Sequence, residues 1–152
     1  MKSRIVLIVS FLFLFVFVTS VYLFFTSDDD GMEYIEEKGW EAYDRKEYTE
    51  AIILFSKLNL DKHNEALLGL ADSYFVTGKV EEALPLFLRF YANIDNHNPN
   101  YSLVVNKIGI SYADQKDWEN ARIYFNKAKD AGHPDAAKNL ELIEMKRNLE
   151  YK

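Results

Sequence analysis

Residues 67–87 read LLGLADSYFVTGKVEEALPLF. Apolar and small residues recur there at spacings of three and four: Leu67, Leu70, Ala71 and Tyr74, then Ala83 and Phe87. That spacing marks one face of an α-helix, and Thr77-Gly78-Lys79 divides the stretch into two helices. The pattern returns at 105–125, VNKIGISYADQKDWENARIYF, through Val105, Ile108, Gly109, Tyr112, Ala121 and Phe125. A third version at 35–55, IEEKGWEAYDRKEYTEAIILF, keeps Ile35, Gly39, Ala42, Ala51 and Phe55 but has Lys38 where the others have Leu70 and Ile108. A helical hairpin repeated along a chain buries its faces against its neighbours. It builds a surface for partners rather than an enclosed catalytic centre.

Helix signals continue on both sides of these segments, and nothing alternates like a strand. The expected helices are Met32–Asp44, Tyr48–Leu58, Asn64–Val76, Val80–Tyr91, Pro99–Asp114, Trp118–Ala131 and Pro134–Leu149. Arg45-Lys46-Glu47, Thr77-Gly78-Lys79 and Gln115-Lys116-Asp117 are short enough turns to make antiparallel hairpins. Gly132-His133-Pro134 ends one helix and starts the next. Pro85 lies inside the fourth helix, where it removes one backbone bond.

These positions resemble the tetratricopeptide repeat (TPR) family over roughly Met32 to Leu149. The resemblance implies an all-α solenoid of three helical hairpins with a C-terminal capping helix. Ala71 and Gly109 are expected where the two helices of a hairpin approach closely, with Ala83, Ala121, Phe87 and Phe125 facing them. Gly69, one position from that contact, is expected to tolerate alanine. The spacing departs from the family's usual 34 residues: Ala51 to Ala83 is 32 and Ala83 to Ala121 is 38. The differences fall in the polar loops Asn59–His63 and Asn93–Asn100, where loop-closure entropy makes length changes cheap. In the capping helix, Ala136, Ala137, Leu140, Ile143 and Met145 are expected to face the stack.

In the TPR family the first helix of each hairpin lines a concave face. Carried over residue by residue, the resemblance places Glu36, Trp40, Tyr43 and Asp44 on that face from the first hairpin. Leu68, Asp72 and Phe75 come from the second, and Asn106 and Ile110 from the third. The implied groove is apolar and aromatic with a carboxylate fringe. It suits a protein or peptide partner with apolar anchors and a basic flank. Relatives that hold chaperone C-termini use basic residues on this face; Glu36 and Trp40 stand in their place here and oppose an acidic tail.

Ile5–Phe25 is a run of 21 residues without a charge. As a helix it is about 31 Å long, enough to cross a bilayer core. Lys2 and Arg4 precede it and Asp28, Asp29 and Asp30 follow, which predicts a cytoplasmic N-terminus and a translocated domain. Cleavage after Ser20 is the rival reading, but the run is longer than a signal-peptide core and continues past that point. The expected organisation is thus a transmembrane anchor at 1–27, an acidic linker at 28–31, the helical domain at 32–149 and a tail at 150–152. The expected location is a single-pass inner (cytoplasmic) membrane protein with its N-terminus cytoplasmic and its domain periplasmic or extracytoplasmic.

Beyond the apolar run stand 16 basic and 24 acidic residues, a net charge of −8. With no basic stripe, nucleic acid is a poor partner. There is no cysteine, so disulfides and thiolate metal sites are excluded. His63, His97 and His133 lie in turns without ligand spacing, and no phosphate loop or nucleophile elbow is present. No catalytic residue, metal or cofactor is therefore expected. The function read from the sequence is a membrane-anchored protein-interaction module, an adaptor or assembly factor. The alternatives are an inhibitor or immunity protein that masks a toxin or enzyme, and a secreted repeat protein released by cleavage.

Overall fold

The computed structural model describes residues 14–19 and 31–150, and all of their regular secondary structure is helical. Residues 31–44 form the helix labelled α1 here. It is followed by α2 (Tyr48–Phe55), α3 (Asn64–Val76), α4 (Val80–Ala92), α5 (Tyr101–Asp114), α6 (Trp118–Asp130) and α7 (Ala136–Glu150). Helices adjacent in sequence pack on one another, and α7 also reaches back to α5. Most of the expected span Ile5–Phe25 lies outside the described residues; 14–19 is helical. Among the described residues no helix is long and apolar enough to cross a membrane.

The hairpin turns share one device. Lys46, Gly78 and Lys116 all have positive φ, at 64°, 78° and 60°. They sit at equivalent positions of the three repeats. The residue after each donates its backbone N–H five residues back: Glu47 to Ala42 (2.9 Å), Lys79 to Tyr74 (2.9 Å) and Asp117 to Tyr112 (2.9 Å). This is the Schellman closure of a helix, which needs a left-handed residue. Only the middle repeat uses glycine for it, the residue that adopts this conformation without steric cost.

Several helix ends differ from expectation. The helix α2 stops at Phe55 rather than Leu58, and Lys57 and Leu58 donate three residues back to Leu54 and Phe55 in a tighter turn (both 3.1 Å). The helix α5 starts at Tyr101 and α7 at Ala136, each two residues after the proline expected to open it. Pro85 is exposed and α4 runs through it unbroken.

Ala51, Ala83, Ala121, Phe55 and Phe87 are fully buried, and Phe125 is nearly so. In the capping helix, Ala136 and Ile143 are buried and Leu140 packs on the stack, but Ala137 and Met145 are exposed. Met145 lies nearly opposite Ala136 and Ile143 at about 100° per residue, so it cannot share their face.

Gly69 departs most from expectation. The Phe55 ring lies between two glycines from different hairpins. A Cβ on Gly39 would come within 2.5 Å of that ring, and one on Gly69 within 2.7 Å. A Cβ on Gly69 would also stand 3.0 Å from the Trp40 indole. The ring cannot retreat from one glycine without meeting the other. Gly109 bears on Phe125 in the same way, at 2.7 Å. Gly69→Ala is therefore expected to destabilise by about 1–3 kcal/mol through overpacking, despite the gain in helix propensity. Thermal unfolding checks this against Gly31→Ala, a site with open space around it.

Candidate functional site

The first helices of the hairpins, α1, α3 and α5, stand side by side, and polar side chains link them. Tyr43 on α1 donates its hydroxyl to Asp72 Oδ2 on α3 at 2.8 Å. Lys107 on α5 donates to Asp72 Oδ1. Asp72 is 6% exposed, so this one carboxylate joins three repeats inside the protein. The Lys107 ammonium also lies 5.8 Å from the Phe75 ring centroid and 5.9 Å from that of Phe87. Burial, and then the bond to Asp72, push the Tyr43 phenol well above its ordinary range. A second link crosses from α1 to the start of α3, where His63 Nδ1 lies 2.5 Å from Glu36 Oε2. The carboxylate can only accept, so the Nδ1 proton faces it.

The nine expected contact residues divide into two groups. Trp40 packs edge-on against Tyr43 (5.6 Å) and Phe55 (5.1 Å). Leu68 is buried, and Phe75 packs edge-on against Phe87 at 5.9 Å. Asn106 is buried and accepts from Asn139 Nδ2 on α7 at 2.9 Å. With Tyr43, Asp72 and Glu36, these side chains are largely spent on holding helices together. Asp44 is exposed, and Ile110 is half-buried on the rim of a cavity. Two of the three expected carboxylates, Glu36 and Asp72, thus already have partners.

That cavity, about 200 Å³, lies between α5, α6 and α7. Ile110, Ala113, Leu142 and Ile143 give it apolar walls, Phe125 contributes to its floor, and Asp114 and Lys146 supply opposite charges. The sequence placed Ile110 on this face but did not bring α7 against it. The role of Lys107 was missed too. The available signal was its distance from Asp72, 35 residues, close to one repeat. Among the described residues no group of three His, Asp or Glu stands together as a metal site would require. Every buried side-chain nitrogen and oxygen among them has a hydrogen-bond partner.

Stacked hairpins with a row of first helices define the helical-repeat interaction proteins as a class. Residues 36–99 match the tetratricopeptide repeat family, and residues 107–136 match it again. The helical region of this chain is built of tetratricopeptide repeats. Among solved structures it is similar to the Sgt2 TPR domain from Aspergillus fumigatus at 23% identity, with a TM-score of 0.61 over 78% of this chain and 80% of that one. The first TPR of Spaghetti (RPAP3), bound to the HSP90 peptide SRMEEVD, is 19% identical, with a TM-score of 0.64 over 77% and 93%. MamA (AMB-1) is 19% identical, with a TM-score of 0.67 over 79% and 66%. At these identities the likeness establishes the fold. No curated protein matches the chain.

Asp72→Asn should be costly, because it leaves the Lys107 ammonium without its counter-charge in a site where that side chain is 15% exposed. Breaking a buried pair costs about 3 kcal/mol or more. Asp72→Asn combined with Lys107→Met removes both charges and should recover most of the loss. Urea unfolding of the two variants measures the difference, with exposed Asp44→Asn as a near-neutral control.

Proposed function

We propose that this chain is a membrane-anchored TPR adaptor, a non-catalytic module that holds a protein partner along the α1–α3–α5 face. Ile5–Phe25 is the anchor within residues 1–27, 28–31 is the linker, and 32–149 is the binding domain in the periplasm. The observation that carries the binding reading is the apolar cavity at Ile110, between α5, α6 and α7. A cavity of about 200 Å³ accepts one large apolar side chain. Exposed Asp114 beside the cavity and exposed Asp44 further along the face favour basic residues in the partner.

The nine residues then play two parts. Ile110 and Asp44 meet the partner directly. Trp40, Tyr43, Leu68, Asp72, Phe75, Asn106 and Glu36 fix the spacing of the helices and offer the partner only their outer edges. The RPAP3 neighbour holds a peptide with two glutamates and an aspartate. The acids on this chain's face favour the opposite charge.

Two experiments check this proposal. A photo-crosslinking side chain at Ile110 should capture a partner segment with an apolar residue beside Lys or Arg. The same group at Ile123, exposed on α6, should not. Capture at Ile123 alone, or of acidic segments, contradicts the groove. For topology, protease added outside spheroplasts should digest residues 32–149, and the chain should keep its N-terminal mass. Protection until lysis reverses the orientation; loss of about 20 residues from the N-terminus indicates a cleaved signal.

A further inference from the structure

The helix α7 is the last among the described residues, and its outer face is not wholly polar. Leu142, Met145 and Leu149 are 40%, 51% and 73% exposed. They are spaced by three and four residues, so they form one stripe along two turns, facing away from buried Ala136 and Ile143. This is the a, d, a spacing of a two-stranded coiled coil. In that register Glu141 occupies the g position and Lys146 the following e position, and both are exposed.

We propose that α7 pairs with α7 of a second copy of this chain, in parallel and in register. The choice of partner and orientation rests on charge. In a parallel pair, g of one helix meets e of the next heptad on its partner, so Glu141 faces the partner's Lys146 twice across the two-fold axis. In an antiparallel pair, g faces g and e faces e, so Glu141 and the partner's Lys146 do not meet and both attractive pairs are lost. The stripe is thus complementary to itself in one orientation only. Lys138, one step earlier on the same seam, would stand against its own copy and ends the apolar contact there. The seam is therefore short, well below the area of a standard stable interface, and the association is weak. Leu142 and Lys146 also border the cavity beside Ile110, so pairing would close one side of it. The pairing itself does not depend on the groove having a partner.

The chain has no cysteine, so one introduced thiol reports on one position. Full-length chain in detergent micelles, with Leu149→Cys, should form a disulfide-linked dimer under mild oxidation. Lys129→Cys, exposed on α6, gives the collision background. Circular dichroism confirms that each variant is folded. Lys146→Glu in the Leu149→Cys background should lower the dimer yield about tenfold, because two attractive pairs become repulsive. Adding Glu141→Lys should restore it. Linkage found only in a mixture of Leu142→Cys and Leu149→Cys chains would show antiparallel pairing and overturn the proposal. So would a Leu149→Cys yield no higher than that of Lys129→Cys, or a yield indifferent to both charge changes.

Discussion

The Phe55 ring, held between Gly39 of its own hairpin and Gly69 of the next, is the contact on which the stacking of this protein depends. An aromatic side chain buried in this way contributes about 1.5–3 kcal/mol from area alone. Its edge-on contact with Trp40 adds about 0.5–1.5 kcal/mol. Position matters more than magnitude. The two glycines fix how closely α3 approaches the first hairpin, and that spacing lets Tyr43 reach Asp72. Phe125 on Gly109 repeats the within-hairpin part of this arrangement in the third repeat, two hairpins on. The weak first repeat, with lysine in place of an apolar residue, is thus secured from its neighbour as well as from within. Lys38 itself turns outward to Glu41 at 2.7 Å.

On this frame lies a thread of charge. A carboxylate as buried as Asp72 costs several kcal/mol to desolvate, and the phenol and ammonium that grip it offset that cost. Such a pair adds little net stability over an apolar packing. It does make register strict, because a slipped hairpin would leave a buried charge alone. The same economy shapes the binding face. Much of the aromatic and acidic character suggested by the sequence is turned inward to hold helices. The outward-facing chemistry is narrower: one apolar cavity, with Asp114 and Lys146 beside it and Asp44 further along the face.

The repeat pattern was legible because it is made of sizes. Ala, Gly and Phe at fixed offsets state where helices touch, and the hairpin turns fell where polar residues interrupt the apolar face. The helix ends were less legible. Prolines 99 and 134 precede α5 and α7 by two residues, and φ signs at Lys46 and Lys116 cannot be read from lysines. Gly69 was misjudged because repeat position describes contacts within a hairpin, whereas its neighbour comes from the preceding one. The Tyr43–Asp72–Lys107 link was missed for the same reason. Tyr43 and Asp72 read as groove residues and Lys107 as an ordinary surface lysine until three helices are set side by side. Met145 looked like part of the capping face until the helical angle separated it from Ala136 and Ile143.

A double-mutant cycle between Phe55 and Gly69 tests this account most directly. Phe55→Leu removes the ring that Gly69 accommodates, and urea unfolding gives the cost of Gly69→Ala with and without it. A cost of about 1 kcal/mol or more is expected beside Phe55, falling below about 0.5 kcal/mol beside leucine. Equal costs in the two backgrounds would show that the glycine and the ring act independently, and the contact would not set the spacing of the repeats.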